Sequence, residues 1–410
     1  MLRIISSSDA TALRRLVDHG AAIDSGLERR VAAIVADVRK AGDRALIAYA
    51  RKFDKLEDAL EMTPAEIEAG VRATPASIRR ALRTAARHVR EVARTQVPRA
   101  SKVAVAPGVV VEQRVAPLSS VGCYVPAGRY PLPSSLLMTA IPARVAGVRE
   151  IVAVCPRPAP VVLAAAAEAG VTRVFRVGGA HAIAALAYGT ATVPRVDKIV
   201  GPGSAYVATA KALVARDCAI DFYAGPSEIV IVASTGDPGW VAADLIAQAE
   251  HDTEARAILL TSSKRFAQAV RRAVLAQAPG EGPAIAALQR RGGIVVTRSV
   301  KESIEIADRI APEHLVCDDE RVVEGVRAGA VFVGPWTAQA AGDYATGSNH
   351  VLPTSGASRF RGGLSAADFV RTSSVQRLTR RGLRGLAPTV VALAEAEGLG
   401  AHAASIRVRL

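Results

Sequence analysis

Five of the seven histidines, His181, His251, His314, His350 and His402, sit in short segments dense in glycine, proline, carboxylate and amide. Imidazole exchanges protons near neutral pH and ligates metals, so this grouping points to an active site. The sharpest segment is Ala247-Gln248-Ala249-Glu250-His251-Asp252. Its Gln248 and His251 stand three apart at the end of an apolar, helix-patterned run, which predicts both on one helical face as half of a metal site. Asp343, His350 and His402, in Gly342-Asp343-Tyr344, Asn349-His350 and Ala401-His402, are further candidates. A borderline ion such as Zn²⁺ accepts imidazole nitrogen and carboxylate oxygen, with an amide oxygen as a weaker supplement. The wide separations are no fingerprint, and a lone histidine is as readily a satisfied core or surface group.

Ala311-Pro312-Glu313-His314-Leu315 is a candidate proton-transfer pair, because carboxylate and imidazole are the groups most easily tuned for general base work. Adjacent side chains point apart in a regular element, so either a local turn aims both into one pocket or Pro312-Glu313 merely opens a helix. Three glycine-bearing segments read as strand-to-helix junctions: Val177-Gly178-Gly179-Ala180, Val200-Gly201-Pro202-Gly203-Ser204 and Ala224-Gly225-Pro226-Ser227-Glu228. Glycine there lets backbone N–H groups line an anion-binding concavity, and open sheets bind ligands at such ends of strands. None is a GxGxxG or Walker motif.

Those residues need a scaffold, and the hydrophobic pattern supplies an α/β one. Residues 1–100 read as a helical N-terminal region, including one long helix over Ser77–Val97. Residues 101–225 and 226–340 each alternate strand and helix signals, which predicts two doubly wound, Rossmann-like modules with parallel sheets. Residues 341–410 read as loop to about Arg381 and then a closing helix around Thr389–Glu397, a C-terminal helical extension.

With 52 basic and 38 acidic residues the net charge is +14, which suits an anionic partner. Arginines are spread along the whole chain and aromatics are 4%, so an arginine-rich enzyme with no nucleic-acid module is expected. No apolar run approaches a membrane span and no secretory pattern opens the chain, so a cytoplasmic protein is expected. Cys123, Cys155, Cys218 and Cys317 form no CxxC pair, as expected of reduced, buried thiols.

Taken in order, the segments from Gly122-Cys123-Tyr124-Val125-Pro126 through Asp197-Lys198-Ile199-Val200-Gly201-Pro202-Gly203 to Asn349-His350-Val351-Leu352-Pro353 resemble the histidinol dehydrogenase family. The likeness runs from about Pro117 to the C-terminus. It implies zinc-dependent oxidation of L-histidinol to L-histidine through the aldehyde, with two NAD reduced. By that resemblance Gln248, His251, Asp343 and His402 are zinc ligands. Ser227, His350 and Glu397 hold the substrate together with Gln248, His251, His314, Asp343 and His402. His314 is the base for the alcohol proton and Glu313 activates water. Tyr124, His181 and Ser204 fall on NAD contacts, where His181 replaces the usual Gln and Ser204 the usual Asn. The resemblance further implies a homodimer in which Glu397 and His402 complete the partner's pocket. Rival readings are a related dehydrogenase of another small alcohol, such as a sulfopropanediol, a relative that has lost NAD binding, and a thiohemiacetal enzyme using Cys123 or Cys155.

Overall fold

The computed structural model describes residues 2–18, 25–126, 130–223 and 225–410. His19 and Ala224, which the sequence reading placed in a helix and a glycine turn, lie outside the described residues. The strands in chain order are β1 (Arg3–Ser6), β2 (Ser101–Ala106), β3 (Val109–Pro117), β4 (Ser120–Tyr124), β5 (Glu150–Val154), β6 (Arg173–Phe175) and β7 (Lys198–Val200). They continue as β8 (Ala219–Ile220), β9 (Glu228–Val232), β10 (Arg256–Thr261), β11 (Gly293–Val296), β12 (His314–Cys317), β13 (Ala330–Val333) and β14 (Val370–Leu378).

Two parallel sheets dominate, ordered β6-β5-β4-β7-β8 and β1-β11-β10-β9-β12-β13. Numbered within each module, both run 3-2-1-4-5, the doubly wound arrangement whose order reverses beside the first strand. Their strands are apolar on both faces because helices cover both sides. On one side of the first sheet Val121, Cys123, Ile151 and Ala153 pack with the helices Ala76–Gln96, Pro133–Ala146 and Pro160–Ala169. On the other, Tyr124, Val152, Val154 and Phe175 pack with Ser25–Ala41, Gly179–Tyr188 and Ala205–Val214. The second sheet is sandwiched likewise between two apolar clusters. Among the described residues no helix is long and apolar enough to cross a membrane.

Several expectations are corrected. The N-terminal region is not wholly helical, since β1 pairs in parallel with β11 at the edge of the second sheet; four residues carry too little periodicity to announce a strand. The stretch to Arg381 is not mostly loop, because β14 pairs along its whole length with β3, which also pairs with β2. Most of β14 is solvent-exposed and polar, so it lacks the apolar alternation that reveals a half-buried strand. The closing helix begins at Arg380 and continues through Pro388. Gly225-Pro226-Ser227 precedes β9 instead of opening a helix. The seven residues Asp221–Ser227 thus link the carboxyl end of β8 to the amino end of β9 and can reach at most about 25 Å.

Candidate active site

The chemistry-bearing residues of the second module gather at the amino ends of β9 and β12, adjacent in the sheet. Ser227 immediately precedes β9, and Glu228 opens it. Glu313 immediately precedes β12 and His314 is its first residue. No helix begins at Pro312. Instead the helix Val300–Ile310 ends on Ala311 with a left-handed φ of 49°, strained for a side chain with a Cβ. The chain turns there, so Glu313 and His314, although adjacent, share a pocket, with Glu313 Oε2 3.6 Å from His314 Nδ1.

His314 is buried, and its two ring nitrogens meet opposite kinds of partner. Nδ1 lies 3.3 Å from the carbonyl oxygen of Glu228, which can only accept. Nε2 lies 3.3 Å from Gln339 Nε2, whose other hydrogen goes to Asp343 Oδ2 at 2.7 Å. This network assigns the proton to Nδ1 and leaves Nε2 as an acceptor, where it receives the Gln339 N–H. Burial pushes the imidazole down to about 4, against the pull of Asp343, so it is neutral at physiological pH. Burial pushes the Glu313 carboxyl well above its ordinary value, opposed by the Glu228 N–H that it accepts at 2.8 Å and reinforced by the negative charges of Glu228 and Asp343. Glu228 itself is pushed up to about 7 by burial, with Arg256 opposing, and accepts the Ser355 N–H at 2.9 Å. Half-buried His350 donates Nδ1–H to the Asp343 carbonyl at 2.8 Å. Burial lowers its proton affinity too.

Gln248 sits on the helix Pro238–Ala249, which packs on the helix Gln339–Tyr344 bearing Asp343. Its side chain is fully enclosed, yet neither Oε1 nor Nε2 has a hydrogen-bond partner. Leaving such atoms unmet costs about 1–3 kcal/mol each. That is the signature of a side chain waiting for a ligand, and an amide oxygen suits a divalent cation. His251 is exposed two residues beyond the helix end, so it does not share a helical face with Gln248. It nevertheless lies near enough to disfavour protonation of His314 and His350. Gln248, His251 and Asp343 are thus brought to one basin, whereas Glu397 and His402 are not. Those two are exposed at the end of Arg380–Ala396 and on Gly400–Arg407, helices that pack on each other, the first also against β14. Among the described residues no group of three or more His, Cys, Asp or Glu could hold a metal within one chain.

Tyr124, His181 and Ser204 gather instead at the carboxyl end of the first sheet. Tyr124 OH accepts the Gly179 N–H at 3.0 Å. His181, which the sequence reading aims at a cofactor, is buried and hydrogen-bonded through Nε2 to Asp54 Oδ2 at 2.8 Å; the same oxygen accepts the Gly178 N–H at 2.9 Å. The helices starting after Ala159, Gly178 and Ser204 have no side-chain cap. In the second module Asp237, Ser263, Ser299 and Asp319 each cap the helix that follows. Open helix starts accept anions, so these three uncapped starts, each following a strand of the first sheet, suit the phosphates of a dinucleotide; the uncapped helix Pro283–Arg290 of the second module follows a helix and not a strand.

Gln339, Glu228 and Asp54 were missed in the sequence. Gln339 and Asp343 do stand four apart, a helical spacing that pairs amide with carboxylate. Asp54 comes from a π-helical turn, Ala50–Asp54, that no local pattern announces. The thiohemiacetal rival fails on burial: all four cysteines are buried, and desolvation pushes Cys123 up to about 12 and Cys155 to about 11, so neither supplies a thiolate.

The sequence model of the family described as Histidinol dehydrogenase matches residues 19–410. The histidinol dehydrogenase of Cereibacter sphaeroides is 47% identical over 395 residues, covering 93% of this chain and 91% of that protein. That of Geobacter sulfurreducens is 46% identical over 400 residues, covering 94% and 93%. The crystal structure of histidinol dehydrogenase from Elizabethkingia anophelis superposes with a TM-score of 0.94 at 32% identity, covering 100% of this chain and 98% of that one.

Proposed function

The chain belongs to the histidinol dehydrogenase family, and we propose that its two modules divide the reaction, the second holding the substrate and the first the cofactor. It is an NAD-dependent oxidoreductase of histidine biosynthesis that converts L-histidinol to L-histidine through the aldehyde. The observation that carries the division is Gln248, enclosed with both amide atoms unmet beside the His314–Asp343 network. The residues present fit a zinc ion: Gln248, His251 and Asp343 from one chain, with His402 of the partner subunit. Zinc, when bound, anchors the substrate's imidazole and amine by Lewis acidity. NAD, when bound beside Tyr124, His181 and Ser204, accepts the hydrides, one for each of two molecules.

His314 Nε2 takes the hydroxyl proton as hydride leaves the carbinol carbon, giving the aldehyde. Glu313 takes a proton from the water that adds to the aldehyde carbon and returns it to the former carbonyl oxygen, giving the hydrate. After releasing its first proton to solvent, His314 takes one from the hydrate as the second hydride departs, leaving the carboxylic acid. Burial of both groups excludes bulk water; it raises the proton affinity of the Glu313 carboxylate and lowers that of His314, which keeps the ring unprotonated and able to accept. Ser227, His350 and the partner subunit's Glu397 orient the substrate. The protein acts as a cytoplasmic homodimer whose C-terminal arm completes the neighbouring pocket. Leu393, Leu399 and Val408, exposed on that arm in the single chain, support this.

The test is NADH formation from L-histidinol with and without chelator, beside a panel of amino alcohols and diols. Activity on histidinol, lost on chelation and restored by Zn²⁺, is expected. A metal-free preparation of full activity would overturn the ligand set, and preference for a diol would mark a related enzyme of another alcohol.

A further inference from the structure

Gly201 joins β7 to the helix Ala205–Val214 through the turn that carries Ser204, and its backbone has φ of 113°. A Cβ there would lie 2.3 Å from the Tyr124 carbonyl oxygen, so the turn runs directly against the end of β4 and has no slack on that side. On the other side both polar groups of Gly201 are held. Its N–H donates to Asp221 Oδ2 at 2.7 Å and its carbonyl accepts from Lys211 Nζ at 3.0 Å. Lys211 and Asp221 are ion-paired to each other, and they are 3% and 4% exposed. Asp221 Oδ1 also accepts the N–H of Phe222 at 2.6 Å. Lys211 reaches Gly201 because helical side chains lean towards the N-terminus of their helix.

A buried ion pair is a poor device for stability alone, since the desolvation of two charges offsets their attraction and apolar pairs of similar size do as well. What apolar residues cannot do is grip the N–H and C=O of one residue, and so the two peptide units that flank it. We propose that Lys211 and Asp221 are positioning residues for the cofactor, a buried ionic clamp that holds the Gly201–Ser204 turn in the shape that receives the dinucleotide. This rests on the reading that the first module carries NAD. The side chains of the clamp bond to each other, to Gly201 and to Phe222, none of them among the proposed bases or zinc ligands. Without it the turn must be ordered anew at each binding event, and that cost falls on cofactor affinity.

The experiment compares wild type with Lys211→Met, Asp221→Asn and the double variant Lys211→Met/Asp221→Leu, by calorimetric titration with NAD and by steady-state kinetics. The double variant removes both charges together, which protects folding where a single change strands one buried charge. In the double variant the Kd and KM for NAD are expected to rise about tenfold, equivalent to about 1.4 kcal/mol. KM for histidinol and zinc content are expected to stay near wild type, while the melting temperature falls because the Gly201 and Phe222 backbone groups lose their partners. Lys211→Arg, which keeps the charge and the donor, is expected to recover most of the affinity. A folded double variant that binds NAD within twofold of wild type would overturn the clamp, as would a loss that spreads equally to zinc and histidinol. Failure of the wild-type protein to bind NAD at all would instead overturn the cofactor reading beneath it.

Discussion

His314 is defined by what surrounds it, because the Glu228 carbonyl takes Nδ1–H and the Gln339 amide leaves Nε2 as the accepting nitrogen of the ring. Replacing His314 by Asn should lower kcat by about 10²–10⁴-fold while zinc content and NAD affinity are retained; a loss of zinc in step with activity would make it a ligand. Asp244, one turn before Gln248, has a carboxyl pushed from 3.8 up to about 6 by burial. Because its folded-state value exceeds the unfolded one, its contribution to stability is complete below about pH 4 and is lost as pH rises through about 6. Asp244→Asn should therefore gain about 1–2 kcal/mol on wild type at pH 8 relative to pH 4, after allowance for partial exposure. Urea midpoints at the two values test this, and an identical difference at both would refute it. The candidate side chains were singled out from their types and flanking residues. Gln339, Glu228 and Asp54, which orient them, were not, because each acts across a tertiary contact.

The turns at the carboxyl end of the first sheet are shaped by distant elements. The π-helical turn Ala50–Asp54 delivers one carboxylate to both Gly178 N–H and His181 Nε2. Asp54→Ala strands both donors and is expected to cost about 1–3 kcal/mol, read from the denaturation midpoint. Asp54→Asn, which keeps an acceptor oxygen, should recover part of that loss, and equal destabilisation by the two variants would argue against the hydrogen bonds. Alternation of apolar strands with helices made both parallel sheets readable, because a strand covered on two faces must be a continuous apolar run, as Ile151–Cys155 and Ile229–Ala233 are. Exposed β14 and the four residues of β1 offered no such run.

In the assembled protein each pocket is predicted to draw His402 and Glu397 from its neighbour. Homodimers of His314→Asn and of His402→Ala should each be nearly inactive. In a reassembled mixture about a quarter of the pockets carry neither lesion, because half the dimers are mixed and each of these has one intact pocket. Recovery of activity on mixing supports the exchanged arm, and no recovery would place His402 in its own chain's site.

Local sequence was enough to determine the fold class, the reactive residue types and the family, since apolar periodicity and the ordered Gly, His and acid segments are written along the chain. Tertiary structure alone decided three things. It placed Glu313 and His314 at the amino end of β12 beside β9, left the helix starts after the first sheet's strands uncapped, and made Gln248 an enclosed amide without partners instead of a surface one. The physical reason is that burial, tautomer and the meeting of opposite ends of two sheets arise from contacts between residues far apart in sequence, which no window of neighbours contains.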